Sequence, residues 1–454
     1  MARSASQLDL PCVLRYNQHS RIHVTTQSIQ EIGTLPAKSV IWMSVVFGGT
    51  LMRTALFPLG IMSLLLANTS CGSLKKDKPN KTIAPSGQEI RSTDASVTTG
   101  TQNPYAGSHF FVDPAYAAKV RGTIPLAPDL SDKLDKIAST STAFWVDRKA
   151  AIAGLKTYLD AASSLAATLG SPVAATVVVY NLPDRDCAAA ASNGELSGPN
   201  GLDEYRVYID ELAAVVKSHT NVRIAAVVEP DSLPNIVTNQ GQRKCTTEVL
   251  ANYETGTVYA IEKLQADHVS LYLDVAHSGW LGWPSNRTGA AQVMARVLQK
   301  AGGLHKIRGF ATNVANYSVL QFDFSRPSPW YDQSNPARDE LTYVQLLSQD
   351  LTAVGISNPR FIIDTGRNGS QTARQIWGSW CNVANAAIGK FPQAEPMTGI
   401  DAFVWIKPPG DSDGTSDSAA ARFDYMCRSG DSLTPAPEAG AWFPEALIRF
   451  LRNS

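Results

Sequence analysis

From about residue 103 onward, short apolar runs alternate with longer segments of helical spacing. The apolar runs are AFWV (143–146), AATVVVY (174–180), RIAAVVE (223–229), HVSLYLD (268–274), IRGFATN (307–313), RFIID (360–364) and DAFVWI (401–406). Each has strand length, and most are apolar nearly throughout, which predicts strands covered on both faces. Between them lie segments such as DRKAAIAGLKTYLDAASSLAATLG, LDEYRVYIDELAAVVKSH and RDELTYVQLLSQDLTAVG, whose apolar residues recur at helical spacing. In the first of these, Asp147 is the expected cap and Gly170 the expected stop.

Strand then helix, repeated, predicts a parallel sheet with crossover helices. Seven such strands predict an α/β fold, an incomplete parallel β/α barrel of TIM-like form. A doubly wound open sheet is the alternative. It would carry a glycine-rich nucleotide turn, and no GxGxxG comes after any of the strands.

Each strand runs into a polar cluster: VDRK, NLPDRDC, EPDSL, DVAHSGWLGW, NVANY, DTGRNG and KPPGDSDGTSD. In a parallel barrel these ends converge on one face. The segment EPDSL poses a choice. Asp231 could cap a helix over LPNIVTN, or it could be a working carboxylate at the strand mouth. Polar clusters after every strand favour the second reading. Asp186, Asp231 and Asp413 come after different strands yet would meet at one rim, and paired carboxylates are what glycoside hydrolysis requires. Mutual proximity would keep one protonated, while Arg185 and Arg367 would hold others ionised.

Tryptophans add to this picture. Trp145, Trp280, Trp283 and Trp380 lie in or beside these loops, and their flat faces suit the C–H faces of a sugar ring. Trp405, inside an apolar strand, is assigned to the core. The chain lacks HExxH, GxSxG and CxxC, so no metal or cofactor is expected. His277, the one histidine in a strand-end cluster, reads as a hydrogen-bonding residue. The 454 residues carry no net charge, which gives no electrostatic reason to expect nucleic acid as a partner.

The N-terminal part divides by composition. Residues 1–51 read as an extension, and 52–72 as a secretory leader with Arg53 ahead of an apolar stretch. A membrane anchor is the competitor, but the stretch after Arg53 is shorter than the ~20 residues a span needs. Residues 73–102 read as a flexible linker and 103–454 as the catalytic domain. Of the six cysteines, Cys187, Cys245, Cys381 and Cys427 flank loops. In a secreted chain two disulfides are expected; in a cytosolic one, four thiols.

The motifs YNLPDRDCAAAASNGE, VVEPDSLPNIVTN, YLDVAHSGWLGWPSN, ATNVANY, QIWGSWCNV, FVWIKPPGDSDGTSD and PAPEAGAWF occur in this order over residues 103–454. Together they resemble glycoside hydrolase family six, of the fungal cellobiohydrolase II type. The resemblance implies a distorted seven-stranded β/α barrel with a loop-covered tunnel. It implies cellulose as substrate, cut with inversion to release cellobiose from non-reducing ends. Asp231 would be the general acid, Asp186 the second carboxylate that raises the acid's pKa, and Asp413 the residue considered as base. Tyr180 and Ser192 would crowd the reacting sugar and position water, and Arg185 and Arg367 would neutralise the acidic cluster. Trp145, Trp280, Trp283 and Trp380, with His277, Asn313, Lys407 and Asp411, would line sugar subsites. Cys187–Cys245 and Cys381–Cys427 would pin the two roofing loops. The enzyme would be a secreted monomer, free of stable membrane association once its leader is removed.

Both roofing segments, about 183–200 and 407–441, look full length, which favours exo action. An endo-acting glucanase of the same family and a non-catalytic carbohydrate binder are the alternatives. Asn181, Thr365, Asp411 and Ser412 depart from the family's usual residues.

Overall fold

The computed structural model describes residues 102–327 and 334–454, together with the backbone of a hairpin nearer the N-terminus. That hairpin pairs β1 (Trp42–Phe47) with β2 (Thr50–Ala55) antiparallel. Beyond it, the extension, leader and linker expected from the sequence lie outside the described residues.

The main sheet contains β3 (His109–Phe110), β4 (Phe144–Val146), β5 (Val173–Val179), β6 (Arg223–Val228), β7 (Val269–Asp274), β8 (Gly309–Thr312), β9 (Phe361–Asp364), β10 (Gln393–Met397) and β11 (Ile400–Val404). Its nine strands run in the order β10-β11-β9-β8-β7-β6-β5, with β3 and β4 sharing the far edge of β5. His109 lies opposite Val173, and Phe144 opposite Val177. All neighbours are parallel except β10, which pairs antiparallel with β11. Every strand expected from the sequence is present. The additions are β3, two residues long, and β10, whose exposure alternates and whose QAEPM carries a proline tolerated at an edge.

Alternation along the strands separates two cores. Val173, Ala175, Val177 and Val179 of β5, with Ile224, Ala226 and Val228 of β6, pack against Leu155, Leu159, Leu212 and Leu298 from the helices. The intervening residues, among them Ala174, Val178, Ala225, Val227, Ala311 and Ala402, face one another inside the curl. Several of these are alanine, which suits the smaller volume on the concave side of a closing sheet. Burial on both faces explains why the strands read as continuous apolar runs.

The two ends of the sheet approach without a ladder between β4 and β11. Ala143 N donates to Trp405 O at 3.0 Å, and Trp145 Nε1 donates to Ile406 O at 2.8 Å. The barrel is therefore incomplete. Trp405 is buried among the residues beneath this seam, as expected.

The helices are α1 (Pro114–Arg121), α2 (Ser131–Ala138), α3 (Ala151–Leu169), α4 (Gly201–Ser218), α5 (Ser232–Thr238), α6 (Thr247–Leu264), α7 (Ser278–Leu281), α8 (Pro284–Lys300), α9 (Glu340–Ala353) and α10 (Pro444–Asn453). Gly170 ends α3 in the left-handed region at φ 59°, where glycine carries no Cβ penalty. Asp147 is not the cap of α3. The cap position is Ala150, and Asp147 instead pairs with Arg148 and accepts from Arg185 through its carbonyl. Among the described residues, no helix is long and apolar enough to cross a membrane.

Candidate active site

The segments leaving β5 to β8 share an unusual backbone. Asp184, Asp186, Glu229, Asp231, Ala276, Asn313 and Ala315 all have positive φ, between 50° and 65°. For residues with a Cβ this costs roughly 1–2 kcal/mol each, and such strain gathers where geometry must be held. Among them Asp186, Asp231 and Ala315 line the cavity described below.

Glu229 ties two of these segments together. Its carboxylate accepts from Asn181 N at 3.1 Å, Leu182 N at 3.2 Å and Tyr205 Oη at 2.8 Å. The end of β6 is thereby fastened to the segment leaving β5. Burial pushes Glu229 up to about 7 despite these donors.

Asp231 stands at the N-cap position of α5, but its side chain makes no capping bond. The carboxyl is left for the cavity. Burial, then Asp274, then Asp186 hold it well above the usual carboxylate range. Asp186 is also raised by burial, with Ser192, Tyr180 and Arg185 drawing it back. The Tyr180 hydroxyl donates to Asp186 Oδ2. Acids of different strands thus face one another, as the sequence suggested.

Asp274, the last residue of β7, carries no mark in the sequence that sets it apart from a strand end. Its Oδ2 accepts from Asp231 N at 2.9 Å and Ala276 N at 3.2 Å, while its buried Oδ1 has no hydrogen-bond partner among the described residues. Burial raises its pKa.

Asp413 is held differently. Arg367 Nη1 donates to both its oxygens, at 2.9 and 3.0 Å. Tyr317 Oη and Asn382 N reach Oδ2 at 2.5 and 2.9 Å, and Lys407 Nζ lies 3.9 Å from Oδ1. Arg185 makes no ion pair of this kind among the described residues. Its donors go to the carbonyls of Ser192, Asp147 and Tyr180, and its guanidinium lies over the Tyr180 ring at 4.2 Å. Its charge acts on Asp186 through space.

A cavity of about 570 Å³ opens over these groups. Asp186, Asp231, Asp413, Tyr180, Ser192 and Arg185 line it, as do Trp145, Trp280, Trp380, His277, Lys407 and Asp411. Three expected residues do not. Arg367 is buried behind Asp413. Asn313 spends its side chain on Asp364 O at 2.8 Å and Ser318 N at 3.1 Å. Trp283 is half-buried at the start of α8, away from the lining. Trp377 and Arg374 do line it, although neither is among the residues expected from the sequence. Trp377 stands three residues before Trp380 in QIWGSWCNV, so its signal was present.

Two roofing segments meet across the cavity. Ala190 N donates to Asp424 Oδ2 at 2.8 Å, and Arg243 reaches the same oxygen at 3.3 Å. Disulfides Cys187–Cys245 and Cys381–Cys427 close loops of 58 and 46 residues. The first adjoins Asp186; the second adjoins Trp380 and Asn382, and Ala191 packs against it.

The sequence profile described as "Glycosyl hydrolases family 6" matches residues 105–454. The 1,4-beta-D-glucan cellobiohydrolase C of Emericella nidulans is 42% identical over 367 residues, covering 78% of this chain and 79% of that one. The catalytic core of the cellobiohydrolase Cel6A from Chaetomium thermophilum superposes with a TM-score of 0.74 at 41% identity, covering 78% of this chain and 98% of that one. Cellobiohydrolase II (Cel6A) from Humicola insolens, solved with glucose and cellotetraose, gives 0.73 at 41% identity, covering 78% and 99%.

Proposed function

The chain belongs to glycosyl hydrolase family 6, and from that premise we infer that it hydrolyses β-1,4-glucosidic bonds of cellulose and cello-oligosaccharides with inversion, releasing cellobiose from non-reducing ends. The observation that carries the reading is the pairing of Asp231 with Asp186 inside a cavity roofed by two joined loops and walled by tryptophan.

Asp231 is assigned as general acid. Its raised pKa keeps it protonated, and it is poised to protonate the departing glycosidic oxygen. Water enters on the opposite face of the ring, giving inversion. Asp186, Tyr180 and Ser192 are assigned to the reacting sugar and that water. Asp413 is assigned an electrostatic role: Arg367, Tyr317 and Asn382 all donate to it, and these donors lower its basicity. Trp145, Trp280 and Trp380 are assigned as stacking platforms, with Lys407, Asp411 and His277 as polar contacts.

Exo action is favoured over endo action by the closed roof, since an open cleft would lack the bond between Ala190 and Asp424. Secretion as a monomer, with the leader at 52–72 and the linker at 73–102, completes the proposal. Two disulfides suit an oxidising compartment. Product analysis on crystalline cellulose with anomeric detection tests it. Cellobiose released as the α-anomer is expected; a mixture of longer oligosaccharides, or retained configuration, would overturn it.

A further inference from the structure

His277 lies between β7 and α7, is 8% exposed and stands on the cavity wall. Its Nδ1 is 3.2 Å from Gly279 N, and a backbone amide can only donate. At 3.2 Å this single contact is a weak hold, which favours a lone pair on Nδ1 without fixing it. Ser318 Oγ lies 3.0 Å from the same nitrogen. That hydroxyl accepts from Arg374 Nη2 at 2.9 Å, another obligate donor, and with the Gly279 amide already favouring a lone pair on Nδ1 it is the hydroxyl's own hydrogen that meets Nδ1. The ring's remaining hydrogen then sits on Nε2, which makes no hydrogen bond among the described residues.

From this chain of donors we propose that Arg374 and Ser318 are positioning residues that fix His277 as a neutral Nε2–H donor toward a sugar oxygen in the cavity. Burial and the nearby Arg374 charge also hold the imidazole's pKa well below its ordinary value. Protonation would set an Nδ1 hydrogen against the Gly279 and Ser318 donors, so the same contacts oppose it. The cavity surface thus offers a fixed donor that selects an acceptor oxygen on the chain it holds. The sugar partner rests on the functional reading above; the tautomer does not.

Imidazole ¹⁵N spectra of the histidine-labelled full chain test the relay without substrate, with the His277 signal identified by its loss in His277→Gln. The wild type should show His277 as Nε2–H. Ser318→Ala should give mixed tautomers and weaken cellotetraose binding roughly three- to tenfold, about one hydrogen bond's worth. Ser318→Thr, which keeps the hydroxyl, should restore both. Arg374→Met should move both in the direction of Ser318→Ala. An Nδ1–H or imidazolium signal in the wild type at neutral pH overturns the proposal, as does Ser318→Ala with an unchanged tautomer. An intact Nε2–H signal with no cellotetraose binding overturns the sugar partner alone, separating that failure from failure of the relay.

Discussion

The backbone N–H of Asp231 donates to Asp274 Oδ2 at 2.9 Å, so the acid's own peptide group anchors the carboxyl that presses on it most. Asp186, read from the sequence as the residue that raises Asp231, comes after Asp274 in strength. Asp274 has one oxygen bonded and one buried without a partner among the described residues. Replacement by asparagine keeps an oxygen for the two backbone donors and removes the charge. Asp274→Asn should therefore lower the pKa of Asp231 and move the alkaline limb of kcat/KM to lower pH. A limb left in place would reassign the origin of the shift to burial and Asp186.

Loss of the acid itself should separate binding from chemistry. Asp231→Ala should lower turnover of cello-oligosaccharides by roughly 10²–10⁴-fold, while cellotetraose still binds, because the tryptophan walls are untouched. Aryl cellobiosides, whose leaving groups need little protonation, should suffer less. Equal loss on both substrates would remove Asp231 from the acid role.

Stability should fall on the alkaline side. Glu229 and Glu340 are both raised from 4.5 to about 7, chiefly by burial. Each binds its proton more tightly folded than unfolded. The contribution is thus fully present below pH 4.5 and is lost as pH rises through 7. The loss is at most about 3 kcal/mol per group. Glu340 Oε1 accepts from Ser278 N at 2.8 Å, and a glutamine oxygen can do the same. Glu340→Gln should accordingly flatten the decline of Tm between pH 5 and 8, read by calorimetry.

The second disulfide should matter to both stability and mode of action. Closing a 46-residue loop restricts the unfolded chain by about 4 kcal/mol in the loop-entropy account. Cys381→Ser with Cys427→Ser should lower Tm by several degrees. It should also loosen the roof beside Trp380 and Asn382, raising the ratio of viscosity loss to cellobiose release on soluble cellulose. An unchanged ratio would mean that the bond between Ala190 and Asp424 holds the roof by itself.

Short-range pattern carried much of this molecule. Strands buried on both faces read as unbroken apolar runs, so all seven expected from the sequence recur within a residue or two in β4 to β9 and β11. The polar clusters after them, and the family motifs they contain, pointed to Asp186, Asp231 and Asp413 before any coordinates. β3 escaped because two residues make no period, and β10 because its Pro396 reads as a break.

Which carboxyl works on which was not legible in one dimension. Asp274 looked like the polar end of a strand, and Asp147 like a cap, because either role leaves the same letters in the chain. Asn313 and Arg367 stood in the right loops, yet their side chains turn to Asp364 and Asp413 rather than to the cavity. Linear order set the strands, the helices and the candidate acids, since burial periodicity and turn chemistry act over a few residues. Field strength, desolvation and donor geometry depend on distances between loops far apart in the chain, and folding alone supplies those.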